Sequence, residues 1–261
     1  MNHTIVDIGV NLMHRSFHPD REQVVERAME QHVNPLIITG TSLRNSQEAA
    51  RYAGRYPGKL YATAGVHPHD AKSCSAETIT KLKELAALPQ VVAIGECGLD
   101  YNRDFSPRDV QRKWFTEQIR LALELDMPLF LHEREAFADF TAILKEQSVR
   151  KAVVHCFTGT QSELKAYLEM GLHIGITGWI CDERRGKHLR ELVRMIPLNR
   201  LMIETDAPFL TPRDLKVKPK DGRNEPAFLP HILEAVARCV GKPAEEVAKA
   251  TTATAAEFFG I

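Results

Sequence analysis

Four apolar runs end in side chains that bind divalent cations. VVAIGE closes on Glu96, PLFLH on His132, AVVH on His155, and RLMIETD on Asp206. Taken singly, such a histidine or acid is more often a hydrogen-bonded structural residue or a helix cap. Four together, each ending a short apolar segment, point to a metal site of mixed carboxylate and imidazole character, suited to Mg2+, Mn2+ or Zn2+. Such a site polarises a phosphate or carbonyl oxygen and activates water. Other polar residues follow other runs. His67 and His69 flank Pro68 in a rigid turn, where substrate contact and a structural role are equally open. IVDIGVNL ends in Asp7, Gly9 and Asn11, of which Gly9 has no side chain and Asn11 only a neutral carbonyl oxygen. Cys97 and Cys156, each beside a candidate ligand, read most simply as small buried residues. Asp182-Glu183-Arg184-Arg185 reads as a solvated run, although an arginine on such a loop can grip a phosphate.

The elements that would position these residues are legible in the same runs. TIVDIG, PLIITG, LYATAGV, VVAIGE, PLFLH, AVVHCF, HIGIT and RLMIET are near-continuously apolar, as strands buried on both faces of a parallel sheet must be. Amphipathic stretches of helical length lie between them. In the clearest, Ser106 is the expected N-cap with Pro107 at the first helical position, and Val110, Trp114, Ile119, Ala122 and Leu125 share one face. Two more helices are expected over about 226–240 and 244–259. Eight strand–helix alternations in this length predict an α/β protein, a (β/α)8 TIM barrel of one domain spanning 1–261. An open doubly wound sheet would usually carry a Gly-rich phosphate loop, and neither GxGxxG nor GxxxxGK[ST] occurs. In a barrel the C-terminal strand ends form one rim, which gathers the four ligand-type residues. The polar stretch 211–226 follows the last strand. Its cations (Arg213, Lys216, Lys218, Lys220, Arg223) exceed its anions (Asp214, Asp221, Glu225), which suits phosphate contact and plain solubility equally.

With 34 basic and 34 acidic residues the chain has no net charge, so a nucleic-acid or membrane partner would have to meet a local patch. The five cysteines form no CxxC pair, which favours reduced thiols and a cytoplasmic location. No leader-like segment and no apolar run near the roughly 18 residues of a membrane helix is evident, so no membrane partner is expected. A monomer is the expected state.

The chain resembles the TatD family of metal-dependent deoxyribonucleases, within the amidohydrolase-like barrels. The resemblance runs through DIGVNL (7–12), GVHPHD (65–70), IGECGLDYNR (94–103), PLFLHERE (128–135), HCFTGT (155–160), GITGWICDERRG (175–186), IETDAPFL (203–210) and RNEPAFLPHI (223–232). It implies a metal-dependent 3′→5′ exonuclease that prefers single-stranded DNA, with RNA as an alternative and a role in DNA repair or degradation. By the same resemblance Glu96, His132 and His155 fall on metal-ligand positions. Asp206 falls on the strand-eight aspartate that binds metal or the attacking water, and His67 and Arg134 on positions lining the substrate phosphate. The chain departs from many members at strand one, where His-x-His is replaced by Gly9 and Asn11.

These readings combine into an expected mechanism. Glu96, His132 and His155 hold one divalent ion, Mg2+ first among the three, and Asp206 takes the proton of the attacking water. Arg134 adds positive charge, with His67, His69 and Arg223 as further phosphate contacts. A weak second ion would rely on Asp7 and Asn11. Tyr101, Phe157 and Trp179 are candidate base-stacking surfaces. The alternatives are an amidohydrolase-type enzyme acting on a small molecule, or a catalytically weak barrel used for binding.

Overall fold

The computed structural model describes residues 4–184 and 186–261. Its eight strands are β1 (Ile5–Val10), β2 (Val33–Ile38), β3 (Leu60–Ala64), β4 (Val91–Asp100), β5 (Leu129–Arg134), β6 (Ala152–Val154), β7 (His173–Ile176) and β8 (Leu201–Ile203). They pair in parallel, in chain order, as one eight-stranded sheet. Nine α-helices among the described residues follow the alternation: α1 (Arg21–Glu30), α2 (Leu43–Ala53), α3 (Ala76–Ala86), α4 (Arg108–Glu124), α5 (Phe137–Glu146), α6 (Gln161–Glu169), α7 (Lys187–Leu192), α8 (Leu229–Val240) and α9 (Ala244–Phe259). This is the expected (β/α)8 barrel.

The sheet closes on itself through individual bonds between β8 and β1. The Asp206 amide donates to Gly9 O at 2.9 Å, and the Asn11 amide to Ala207 O at 2.7 Å. The Asp7 carboxylate accepts from Thr205 Oγ1 at 2.5 Å and from the Thr205 amide at 3.0 Å. Inside the barrel Val6, Ile8, Ile37, Val92, Phe130, Val153 and Met202 pack together. Phe258 and Phe259 of α9 close this cluster at the floor, Phe258 lying 4.7 Å from the ring of His173 at the start of β7. The larger cluster fills the layer between strands and helices. At roughly 1.5–3 kcal/mol per fully buried aliphatic or aromatic side chain, these two layers hold the strand ends in fixed register.

Helix starts follow the local chemistry. Thr160 and Glu163 form a reciprocal capping box on α6. Ser106 departs from its expected role: Pro107 is the N-cap of α4. The Ser106 hydroxyl instead donates to His69 O at 2.8 Å and accepts the Lys72 amide, pinning the loop that follows β3. Among the described residues no helix is long and apolar enough to cross a membrane.

Candidate active site

Strand β4 is the longest, and it carries two acids to the rim. Glu96 and Asp100 are both buried. Gly98 between them has φ of 149°, and a Cβ there would lie 1.8 Å from His132 O. Only glycine lets β4 run this close to β5, so both acids flank the imidazole of His132.

A single oxygen, Glu96 Oε1, gathers three imidazoles. His155 Nε2 lies at 2.8 Å, His132 Nδ1 at 3.0 Å and His67 Nε2 at 3.4 Å. Burial would raise the Glu96 carboxyl, but the charge of His155 and hydrogen bonds from His132 and His155 hold it well below the usual range. Burial likewise opposes protonation of His155, yet the Glu96 and Glu204 carboxylates push it well above its ordinary value. Asp100 accepts from His69 Nε2 at 2.8 Å and takes the Asn102 and Arg103 amides on its other oxygen. Despite burial, His132 and His69 hold it far below the usual range.

Hydrogen bonds assign the ring nitrogens. His67 Nδ1 accepts the His69 amide at 3.1 Å, so the proton of its neutral ring sits on Nε2. Burial keeps that ring neutral, its pKa lowered to about 3. His67 is therefore a donor aimed into the site. His155 is the converse. Its Nδ1 faces Glu204 Oε2 at 3.3 Å and its Nε2 faces Glu96 Oε1 at 2.8 Å, so a ring that gives up its Nε2 proton to a metal would keep the other on the Glu204 side. A carboxylate behind a histidine that points into a site is the usual arrangement for a metal ligand. His132 Nε2 is buried without a hydrogen-bond partner, 3.4 Å from Asp100 Oδ2. His67, Glu96 and His132 form a donor triad whose ligand atoms lie within 4.8 Å of one another. The donor set of imidazoles and a carboxylate fits a divalent cation.

Asp206 completes the rim from β8. Asn11 Nδ2 donates to its Oδ1 at 2.8 Å, leaving the other oxygen for a substrate or water proton. Burial lifts the Asp206 carboxyl to about 7, further raised by Glu96 and Glu204 and opposed by His155 and Asn11. Cys156 and Asp206 adopt left-handed backbone at φ of 47° and 54°. Such conformations cost roughly 1–3 kcal/mol each and persist where surrounding structure fixes them. The Cys156 amide is held by Glu204 Oε1 at 2.6 Å. These residues open into a cavity of about 910 Å3, also lined by His14, Arg134, Trp179 and Phe209. That is near the upper end of the ~300–1,000 Å3 range of ligand pockets.

The family model for TatD related DNases matches residues 6–260. The chain belongs to the TatD family of DNases. It is 53% identical to the 3′-5′ ssDNA/RNA exonuclease TatD of Citrobacter rodentium over 257 residues, covering 98% of this chain and 97% of that one. It is 54% identical to the protein of the same name from Pantoea sp., covering 98% and 99%. Among solved structures, the TatD homologue YJJV of Escherichia coli superposes with a TM-score of 0.90 at 27% identity, covering 98% of each chain. The TatD family hydrolase of Entamoeba histolytica gives 0.90 at 28%, covering 99% of each. Membership makes the chain a hydrolytic nuclease, and the His/Glu cluster places a candidate divalent-metal site at the TatD rim.

The TatD barrel gathers Glu96, His132, His155, Asp206, His67, His69, Arg134 and Asn11 at one cavity. Two expected residues are used otherwise. Asp7 spends its carboxylate on Thr205 and Gly9 and does not line the cavity, which corrects the expectation of a second-metal ligand there. Arg223 clasps Asp20 through two bonds of 2.8 and 2.7 Å, donates to Ser16 O and stacks on Phe17, so it does not line the cavity as a phosphate contact either. Of the three candidate stacking aromatics, Trp179 lines the cavity, Phe157 is buried against Tyr167, and Tyr101 binds Asp139. Arg185, in the charged run 182–185, lies outside the described residues.

Sequence reasoning passed over Glu204, Asp100 and Phe209. Glu204 explains Gly9: a Cβ at Gly9 would lie 2.4 Å from Glu204 Oε2, and one at Gly175 would lie 2.5 Å from Glu204 Oε1. The room of a strand-one side chain is filled by a carboxylate from β8. Phe209 is 48% exposed at the cavity rim, edge-on to His14.

Proposed function

We propose that this TatD-family chain is a divalent-metal-dependent 3′→5′ exonuclease acting on single-stranded DNA or RNA, with Mg2+ as the working ion. The observation that carries the reading is the Glu96 oxygen ringed by three imidazoles beside a carboxyl near neutrality. A cation held by Glu96, His132 and His155 would polarise a non-bridging phosphate oxygen and acidify water. Asp206, oriented by Asn11, takes the proton of the attacking water on its free oxygen. His67 donates its Nε2 proton to a phosphate oxygen, and Glu204 keeps His155 in the ligating tautomer. Arg134, which makes no ion pair among the described residues, brings positive charge to the same wall. Trp179 and the exposed Phe209 offer faces for terminal bases, as a neutral chain without a long basic track requires. Single-strand ends and the 3′→5′ polarity are supported by the names of the relatives. Five free cysteines support a reducing, cytoplasmic setting, and we take the working unit to be a single-domain monomer.

The test is digestion of 5′- and 3′-labelled single strands of DNA and RNA with Mg2+, Mn2+ or Zn2+, beside His155→Ala. Progressive loss from the 3′ end that needs metal and His155 is expected. Activity that survives exhaustive chelation, or that is confined to small-molecule amides and lactones, would overturn the reading.

A further inference from the structure

Behind the cavity wall, three more metal-binding side chains converge from separate elements. Cys181 ends the 3-10 turn Gly178–Cys181, Asp214 lies in the polar stretch after β8, and His231 is in the first turn of α8. One donor atom from each lies within 4.8 Å of the other two. His231 Nε2 is 2.6 Å from Asp214 Oδ1, and the Cys181 thiol lies within 4.8 Å of the donor atoms of both. Cys181 is fully buried, whereas the side chains of His231 and Asp214 keep 24% and 33% exposure, which gives an ion a way in.

We propose that Cys181, Asp214 and His231 form a second, Zn2+-class metal site that clasps the 211–226 stretch to the back of the cavity wall. Thiolate, imidazole and carboxylate are the donors a borderline-soft ion selects, with water as the fourth ligand. The two anionic donors balance a 2+ charge. Bonds of about 2.0–2.3 Å in a tetrahedron set donor separations of roughly 3.3–3.8 Å. Asp214 and His231 must therefore part by about 1 Å, which two partly exposed side chains allow by rotation. Burial holds the free thiol neutral, at about 12, while Arg190 and Arg238 pull the other way. Ligation releases the thiol proton to solvent.

The position gives the clasp a purpose. Trp179, in the same turn as Cys181, and Leu210, just before the Asp214 stretch, both line the cavity. The turn and the start of the stretch already touch: a Cβ on Gly178 would lie 3.4 Å from Pro212 Cγ, and 2.3 Å from Leu210 O just before it. A metal here fixes the wall without entering the active site, and it shares no ligand with Glu96, His132 or His155.

The experiment uses the full chain carrying Glu96→Ala and His132→Ala, so that the active-site ligands are gone, titrated with Co2+ as a spectroscopic stand-in for Zn2+. One Co2+ per chain is expected, with a near-ultraviolet thiolate charge-transfer band. Cys181→Ser should abolish the band, and His231→Gln should weaken binding at least about tenfold. Asp214→Asn, on a partly exposed residue, repeats the test without touching the core. Trypsin cleavage after Lys216 and Lys220 should slow about tenfold at a Zn2+ concentration ten times Kd, and not in the Cys181→Ser variant. Absence of a thiolate band, or a band that survives Cys181→Ser, would overturn the site. A band with unchanged cleavage would overturn the clasp.

Discussion

Across the barrel mouth, Glu96 on β4 meets three imidazoles within 3.4 Å, whereas Asp7 on β1 meets one hydroxyl and two amides. Both carboxyls are buried. Burial raises both, but only Glu96 has cationic partners strong enough to reverse it, while Asp7 stays lifted to about 7. Burial of an acid is thus no mark of chemistry by itself. Partners decide whether it becomes an ionised ligand or a seam that fastens β1 to β8.

The largest expected effect tests the charged arc. Glu96→Gln removes the anion that the imidazoles surround and should lower kcat/KM by about 10³-fold or more; a variant keeping a tenth of its activity would break the contrast. Next is Asp206→Asn, expected to cost about 10²–10⁴-fold as the loss of a general base. The base works deprotonated, so the parent's rate should fall as pH drops through its midpoint. A nearby cation lowers that midpoint below the 7 or so of the free carboxyl, and the Asn variant should lose this acid limb.

Gly9→His would put an imidazole on strand one, and the structure gives it no room beside Glu204. It should destabilise the fold by about 1–3 kcal/mol, measured by denaturant titration, and add no second bound ion. Asp7→Asn sharpens the seam side. The folded Asp7 carboxyl is raised from 3.8 to about 7, so the folded state holds its proton more tightly than the unfolded state. Its contribution is most favourable below pH 4 and is lost as pH rises to about 7. Asn should flatten stability over that window, with activity at saturating metal retained. The smallest effect is Arg223→Ala: about 1 kcal/mol of stability from the pair with Asp20, and an unchanged salt dependence of substrate binding.

The rim was readable because apolar strands announce themselves and their last residues inherit a common place. Glu96, His132, His155 and Asp206 needed only a barrel assumption to be gathered. What stayed hidden depended on pairs joined by the fold. Arg223 looked like a free cation, and its partner Asp20 lies 203 positions away. Glu204 carries no mark in the sequence, because the space it fills belongs to Gly9 and Gly175 on other strands. Gly9 read as a ligand lost, yet its lack of a side chain is what admits another.

The floor of the barrel carries a consequence for how the chain is made. Phe258 and Phe259 seal the inner cluster from below, and Thr252 Oγ1 ties the same helix to Thr4 O next to the first strand. β1 therefore waits for α9, which the ribosome makes long after it. Until α9 emerges, the inward faces of β1, β2 and β4 stay open to water, and a nascent barrel of eight strands remains an unfinished vessel.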